Sequence, residues 1–97
     1  METNIKNQLY TFILDFKGGT YISQFRGSSP EEALQNWIAR VEIEPIQGLK
    51  EKHRVKLQES FDEDGFVPID TVANVWCYSF LLKRNSGLLN FVCTSED

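Results

Sequence analysis

Leu9-Tyr10-Thr11-Phe12-Ile13-Leu14-Asp15-Phe16-Lys17-Gly18-Gly19-Thr20-Tyr21-Ile22-Ser23-Gln24-Phe25-Arg26 is the stretch on which the reading of the fold turns. Tyr10, Phe12, Leu14 and Phe16 fall on one side of an extended chain, with Thr11 and Asp15 on the other, which is the pattern of a half-buried strand. Gly18 and Gly19 suit the positive-φ positions of a two-residue hairpin turn. Alternation then resumes, with Tyr21, Ser23 and Phe25 set against Thr20, Ile22, Gln24 and Arg26. With Gly18 and Gly19 as the loop, Phe16 faces Tyr21, Leu14 faces Ser23 and Phe12 faces Phe25. Both strands then turn their aromatic sets to one face, a match that a one-residue slip destroys.

Ser29-Pro30-Glu31-Glu32 follows and predicts a helix start. Ser29 caps, Pro30 suits the first helical position, and Glu32 completes a capping box. Ala33, Leu34, Trp37, Ile38 and Val41 form one apolar stripe at helical spacing, and Pro45 ends or interrupts the helix. Leu49 to Phe61 predicts a second, weaker helix whose apolar residues are sparse. Phe61 to Asn74 reads as a polar, acidic loop. Val75–Lys83 and Leu88–Thr94 read as two further strands joined by a turn at Arg84-Asn85-Ser86-Gly87.

These elements predict a single α+β domain over residues 1–97: a four-stranded antiparallel sheet in the order β-β-α-α-β-β, with the helices packed on one face. A chain of 97 residues, 41% of them hydrophobic and 12% aromatic, supports one core and is too apolar to remain disordered. The net charge of −4 argues against nucleic acid as a partner, because a phosphate-backbone binder needs clustered Lys and Arg. Met1 to Lys6 has no basic-then-apolar leader pattern, and no apolar run approaches the ~20 residues needed to cross a bilayer. The expectation is a cytoplasmic protein without membrane association. Its acidic balance also admits a basic protein partner.

No catalytic, cofactor or metal-binding set emerges from the residues. Ser60 to Gly65 places Asp62, Asp64 and Gly65 at positions three, five and six of a calcium loop. Ser60 at position one, Thr71 at position twelve and Pro68 break that pattern, so solvated acids are the preferred reading. His53 is the only histidine, which excludes a site with two histidine ligands within one chain. With charged neighbours it reads as a surface residue. Lys52 and Arg54 on either side of it, which could form a basic patch, read instead as a solvated helix face because acids are interspersed with the bases. Nothing singles out an enzyme. Cys77 and Cys93 read as reduced thiols in apolar strands. Pairing Lys83 with Gly87 sets them opposite one another, and pairing Arg84 with Leu88 makes them diagonal neighbours on one face.

The segment Tyr10 to Val41, with its strand, Gly18-Gly19 turn, second strand near Phe25 and Ser29-Pro30-Glu31-Glu32-Ala33-Leu34 helix start, resembles the opening of HicB-like antitoxins. The resemblance covers about a third of the chain and carries over no functional residue. It implies a small acidic binder of a toxin protein.

The third strand is apolar on both faces, and one well-formed helix covers only one. Trp76, Tyr78 and Phe80, or else Val75, Cys77 and Leu81, therefore need another cover. This predicts a non-enzymatic protein-binding module of antitoxin or immunity type, self-associating as a homodimer through face-to-face packing or through the edge of the last strand. Trp76, Tyr78 and Phe80 are the candidate interface. Two alternatives stand beside it: a small-molecule or enzymatic pocket near Asp15 or Tyr78, and an RNA-binding sheet that presents aromatics for stacking. Without an export signal both cysteines are expected to be free. Thiol titration of freshly purified, denatured protein should count two reactive groups, and a disulfide in protein shielded from air would overturn this.

Overall fold

The computed structural model describes residues 7–96, so the reading of Met1 to Lys6 lies outside the described residues. Five strands and two helices follow in the order β1 (Gln8–Phe16), β2 (Gly19–Gly27), α1 (Pro30–Arg40), α2 (His53–Asp64), β3 (Val67–Pro68), β4 (Val75–Leu82) and β5 (Asn85–Thr94). The strands form one open antiparallel sheet in the spatial order β2-β1-β5-β4-β3. The α+β architecture is as expected, but the sheet has five strands rather than four. The additional one, β3, is cut from the segment read as a loop. Its two residues pair with Cys77 and Trp76, and Phe66 just before it stacks on Phe61 and tilts against Phe91. Pro68 is tolerated there because an edge strand leaves one side of its backbone unpaired.

The last strand lies between β1 and β4 rather than at an edge. Edge-to-edge pairing through it is therefore impossible, and the long free edge is β2. Phe12 of β1 and Phe91 of β5 are directly opposite one another, stacked at 4.9 Å and fully buried. Phe25 meets Phe12 edge-on at 6.1 Å, and Trp76 stacks on Phe91 at 5.7 Å. A band of aromatic rings thus crosses all four long strands under the helices.

Two registers differ from expectation. In the first hairpin the loop is Lys17-Gly18, both at positive φ (50° and 83°) as a type I′ turn requires, so Phe16 pairs with Gly19 and Leu14 with Tyr21. The shift is two residues, one full period of a strand, and the aromatic faces survive it. In the last hairpin the loop is Lys83-Arg84, and Leu82 pairs with Asn85. Gly87, expected in the turn, lies inside β5 opposite Phe80. A Cβ built on it would approach the Phe80 ring to 2.2 Å, so the missing side chain makes room for the ring.

The Ser29 cap and the apolar stripe expected for α1 are present, whereas the capping box is altered. Ser29 Oγ accepts from Glu32 N at 3.1 Å, and Ala33, Leu34, Trp37, Ile38 and Val41 are buried. The Glu32 carboxylate reaches one residue further back than the usual box and accepts from Ser28 N at 2.6 Å. The helix ends at Arg40, ahead of Pro45, and its end is sealed from α2. Arg54 Nη1 donates to Ile38 O at 3.0 Å and Nη2 to Val41 O at 2.8 Å, while Nε donates to Glu51 at 2.6 Å. Terminal carbonyls with no helical partner thus receive a cation, which also complements the helix dipole. On the other side Tyr78 Oη donates to Leu57 O at 2.9 Å and fixes α2 to β4. Among the described residues no helix is long and apolar enough to cross a membrane.

Arg54→Met keeps the hydrocarbon stem but removes both carbonyl donors, and should cost about 2 kcal/mol of stability. Arg54→Lys should recover little, since an ammonium lacks the planar fork that reaches two carbonyls. Denaturant midpoints at equal m-value measure both, and an unchanged midpoint in Arg54→Met would overturn the sealing role.

Candidate functional site

Alternation along each strand divides the sheet into two unlike faces. The helix-covered face takes the even-numbered residues of β1 and β4 and the odd-numbered residues of β2 and β5. All sheet aromatics lie on it, including Tyr21, Phe25 and Trp76. Of the candidate interface residues, Tyr78 and Phe80 are buried in this core and Trp76 is half-buried at its margin, packed against Tyr10 and Phe91. The helices cover this set. The alternative set, Val75, Cys77 and Leu81, stands on the opposite face.

Among the described residues no helix lies on that opposite face. One row across it runs Ile22, Ile13, Asn90, Cys77, Val67, and the next runs Thr20, Asp15, Leu88, Ser79. Six large apolar residues of the described chain are prominently exposed, and four of them stand here: Ile22 (69%), Leu81 (68%), Val67 (58%) and Leu88 (42%). Charge is sparse and locally satisfied. Asp15 accepts from Thr20 Oγ1 at 2.8 Å, and Arg26 is held by Glu96 at 3.0 Å. Toward β2 and the end of β5, Gln24 donates to Thr11 at 3.0 Å, and Thr11 and Thr94 share a hydroxyl hydrogen bond.

The register separates the two cysteines. Cys77 pairs with Asn90 on the open face, whereas Cys93 pairs with Tyr10 on the helix side and donates to Gln8 Oε1 at 3.0 Å. The expectation that they share a face fails because a turn at Lys83-Arg84 reverses the parity that a turn at Gly87 would set. Burial raises the Cys77 thiol above its ordinary range, which disfavours the thiolate.

The remaining expected positions resolve as follows. Asp62, Glu63 and Asp64 belong to the last turn of α2 and form no calcium loop. Asp15 is exposed, and the Tyr78 hydroxyl is consumed by Leu57 O, so neither heads an enclosed pocket. A cleft of about 430 Å³ does open between β2 and the end of α1, lined by Tyr21, Phe25, Trp37, Glu42 and Ile46. The Tyr21 hydroxyl there accepts from Gln47 N at 3.3 Å.

His53, expected at the surface, is buried at 9% exposure. Its Nδ1 accepts from Lys50 N at 3.0 Å while its own backbone N–H donates to Lys50 O, a reciprocal bond that starts α2. No reading of charge pattern finds this, because it depends on the turn preceding the helix. Burial first, then the ammonium groups of Lys52, Lys83, Lys50 and Lys56, lower the imidazole pKa below its ordinary value. Comparison with family models, curated proteins and solved structures finds no match to the chain.

A lowered folded-state pKa means that the unfolded chain takes up the His53 proton first as pH falls below about 6.5. Stability from the neutral imidazole is therefore complete above that pH and lost as pH falls toward the folded-state value. Denaturant midpoints should drop between pH 7.5 and pH 5.5, ahead of carboxylate titration. His53→Asn, whose side-chain oxygen can accept from Lys50 N, should flatten that slope. An equal slope in both proteins would overturn the assignment.

Proposed function

We propose that this chain is a non-enzymatic protein-binding module acting through its open sheet face, with a second copy of itself as the occupant. The observation that carries the reading is the concentration of exposed aliphatic residues, Ile22, Leu81, Val67 and Leu88, on a face that no helix covers. Exposed apolar residues gathered on one face in this way favour an interaction site. Four long strands at about 4.8 Å spacing and about 3.3 Å per residue give a projected footprint on the order of 500 Å². Side-chain relief brings its accessible area toward the ~800 Å² per partner of a standard interface.

Charge favours self-docking on this face. The chain carries a net −4, but most of its exposed acids, such as Glu31, Glu42, Glu59 and Asp62, belong to the helices and their loops. On the open side Asp15 is bonded to Thr20 and Glu96 is paired with Arg26. Two sheet faces therefore meet with little like-charge repulsion, and sheet-on-sheet packing at about 10 Å supplies the geometry. A basic partner of the toxin type would meet the acidic helix side, leaving the sheet contact intact. The RNA-binding alternative draws no support from a face without aromatic rings for bases to stack on. The small-molecule alternative draws on the cleft beside Tyr21 rather than on Asp15 or Tyr78.

Light scattering across a concentration series should report a dimer that dissociates on dilution. Leu88→Lys, placed at the middle of the face, should weaken the dimer tenfold or more (~1.4 kcal/mol) with an unchanged circular dichroism spectrum. A wild-type monomer at millimolar concentration would overturn the proposal.

A further inference from the structure

At the start of α2 the chain gathers positive charge that its overall composition hides. Lys52, Lys56 and Lys83 rim a cleft of about 520 Å³ whose floor is His53, Leu81 and Leu82, and among the described residues no acid lines it. Lys50 adds a fourth ammonium close enough to act on the imidazole. The nearest acid in sequence, Glu51, is engaged by Arg54 Nε at 2.6 Å.

The imidazole's chemistry here is determined by its partners. Nδ1 accepts the Lys50 backbone N–H, so the neutral ring carries its proton on Nε2. Among the described residues Nε2 has no hydrogen-bond partner, although the side chain is nine-tenths buried and lines the cleft. A buried donor left unmatched costs free energy, and ammonium groups repelling one another around it add to that cost. One acceptor-bearing anion at Nε2 relieves both. The rest of the lining is hydrocarbon, from Leu81, Leu82 and the lysine stems, and suits an apolar body attached to the anion.

We propose that this cleft binds a small amphiphilic anion, a carboxylate or phosphate monoester on a short apolar chain, with the anionic group on His53 Nε2–H and the lysine ammoniums and the chain against Leu81 and Leu82. The site lies at the end of β4 where β3 no longer flanks it, since β3 pairs only with Trp76 and Cys77. It borders the proposed dimer face and shares Leu81 with it, but its charged and hydrogen-bonding groups come from α2 and the β4–β5 turn.

The test is a titration of the full chain followed through the imidazole resonances of His53, the only histidine. Octanoate and octyl phosphate are the two anionic probes, and inorganic phosphate and octanol are the head-only and tail-only controls. Saturable shifts with either amphiphile at ~10 mM or below, accompanied by a rise in the His53 titration midpoint, are expected. The stronger of the two identifies the head group. Lys52→Gln with Lys83→Gln, both exposed and outside the core, should weaken binding roughly two- to tenfold without lowering the denaturant midpoint. Unmoved His53 resonances with both amphiphiles, octanol binding as well as octanoate, or affinity indifferent to the lysines would each overturn the proposal.

Discussion

The stack of Phe12 on Phe91 is the contact on which the rest of the molecule depends. It joins the first strand to the last, through rings 4.9 Å apart on directly paired residues, and both are fully buried. Each hairpin closes locally, β1 with β2 and β4 with β5, but neither has a core of its own. Only when β5 seats against β1 do Phe25, Phe12, Phe91 and Trp76 become one continuous apolar band for α1 and α2 to cover. The cost of bringing such distant segments together is loop-closure entropy, which rises only slowly with length, while the burial gained scales with aromatic area.

With that seam closed, helix placement follows from a few directed polar bonds. Arg54 ties α2 to the end of α1 through Ile38 O and Val41 O, Tyr78 ties α2 to β4, and Asn36 Nδ2 ties α1 to Arg26 O at 2.8 Å. All these bonds lie on the helix side or its margin. The helices are consequently committed to one face, and the other face is left with the aliphatic and hydroxyl residues that strand alternation puts there. The asymmetry that motivates an interaction function thus follows from how the helices are anchored.

Much of this was legible in the residues, and the parts that were not share a cause. The capped start and apolar stripe of α1 and the faces of β1 and β2 are local, and they emerged intact even though the hairpin register moved by two. Parity is what sequence pattern protects, and a two-residue shift preserves it. The second hairpin moved by an odd number because Gly87 carries the composition of a turn while serving as clearance for the Phe80 ring. That single ambiguity placed Cys77 and Cys93 on one face when they lie on two. The two residues of β3 are too few to show a period. His53 escaped because its environment is made by Lys50, Lys83 and Leu82, which no helical periodicity connects. That Trp76, Tyr78 and Phe80 would be the covered set, and Val75, Cys77 and Leu81 the open one, required knowing where α2 lies.

The central position of β5 also constrains how the chain can be made. During synthesis β1 and β2 emerge first and can pair as a hairpin, and α1 can form behind them. The inner edge of β1 nevertheless stays unpaired until residues 85–94 have been translated. For that interval the nascent chain presents a strand of nine residues, rich in aromatic and β-branched side chains, with open backbone groups along one edge. The interval before β5 arrives is therefore the stage at which the nascent chain is open to wrong strand pairing.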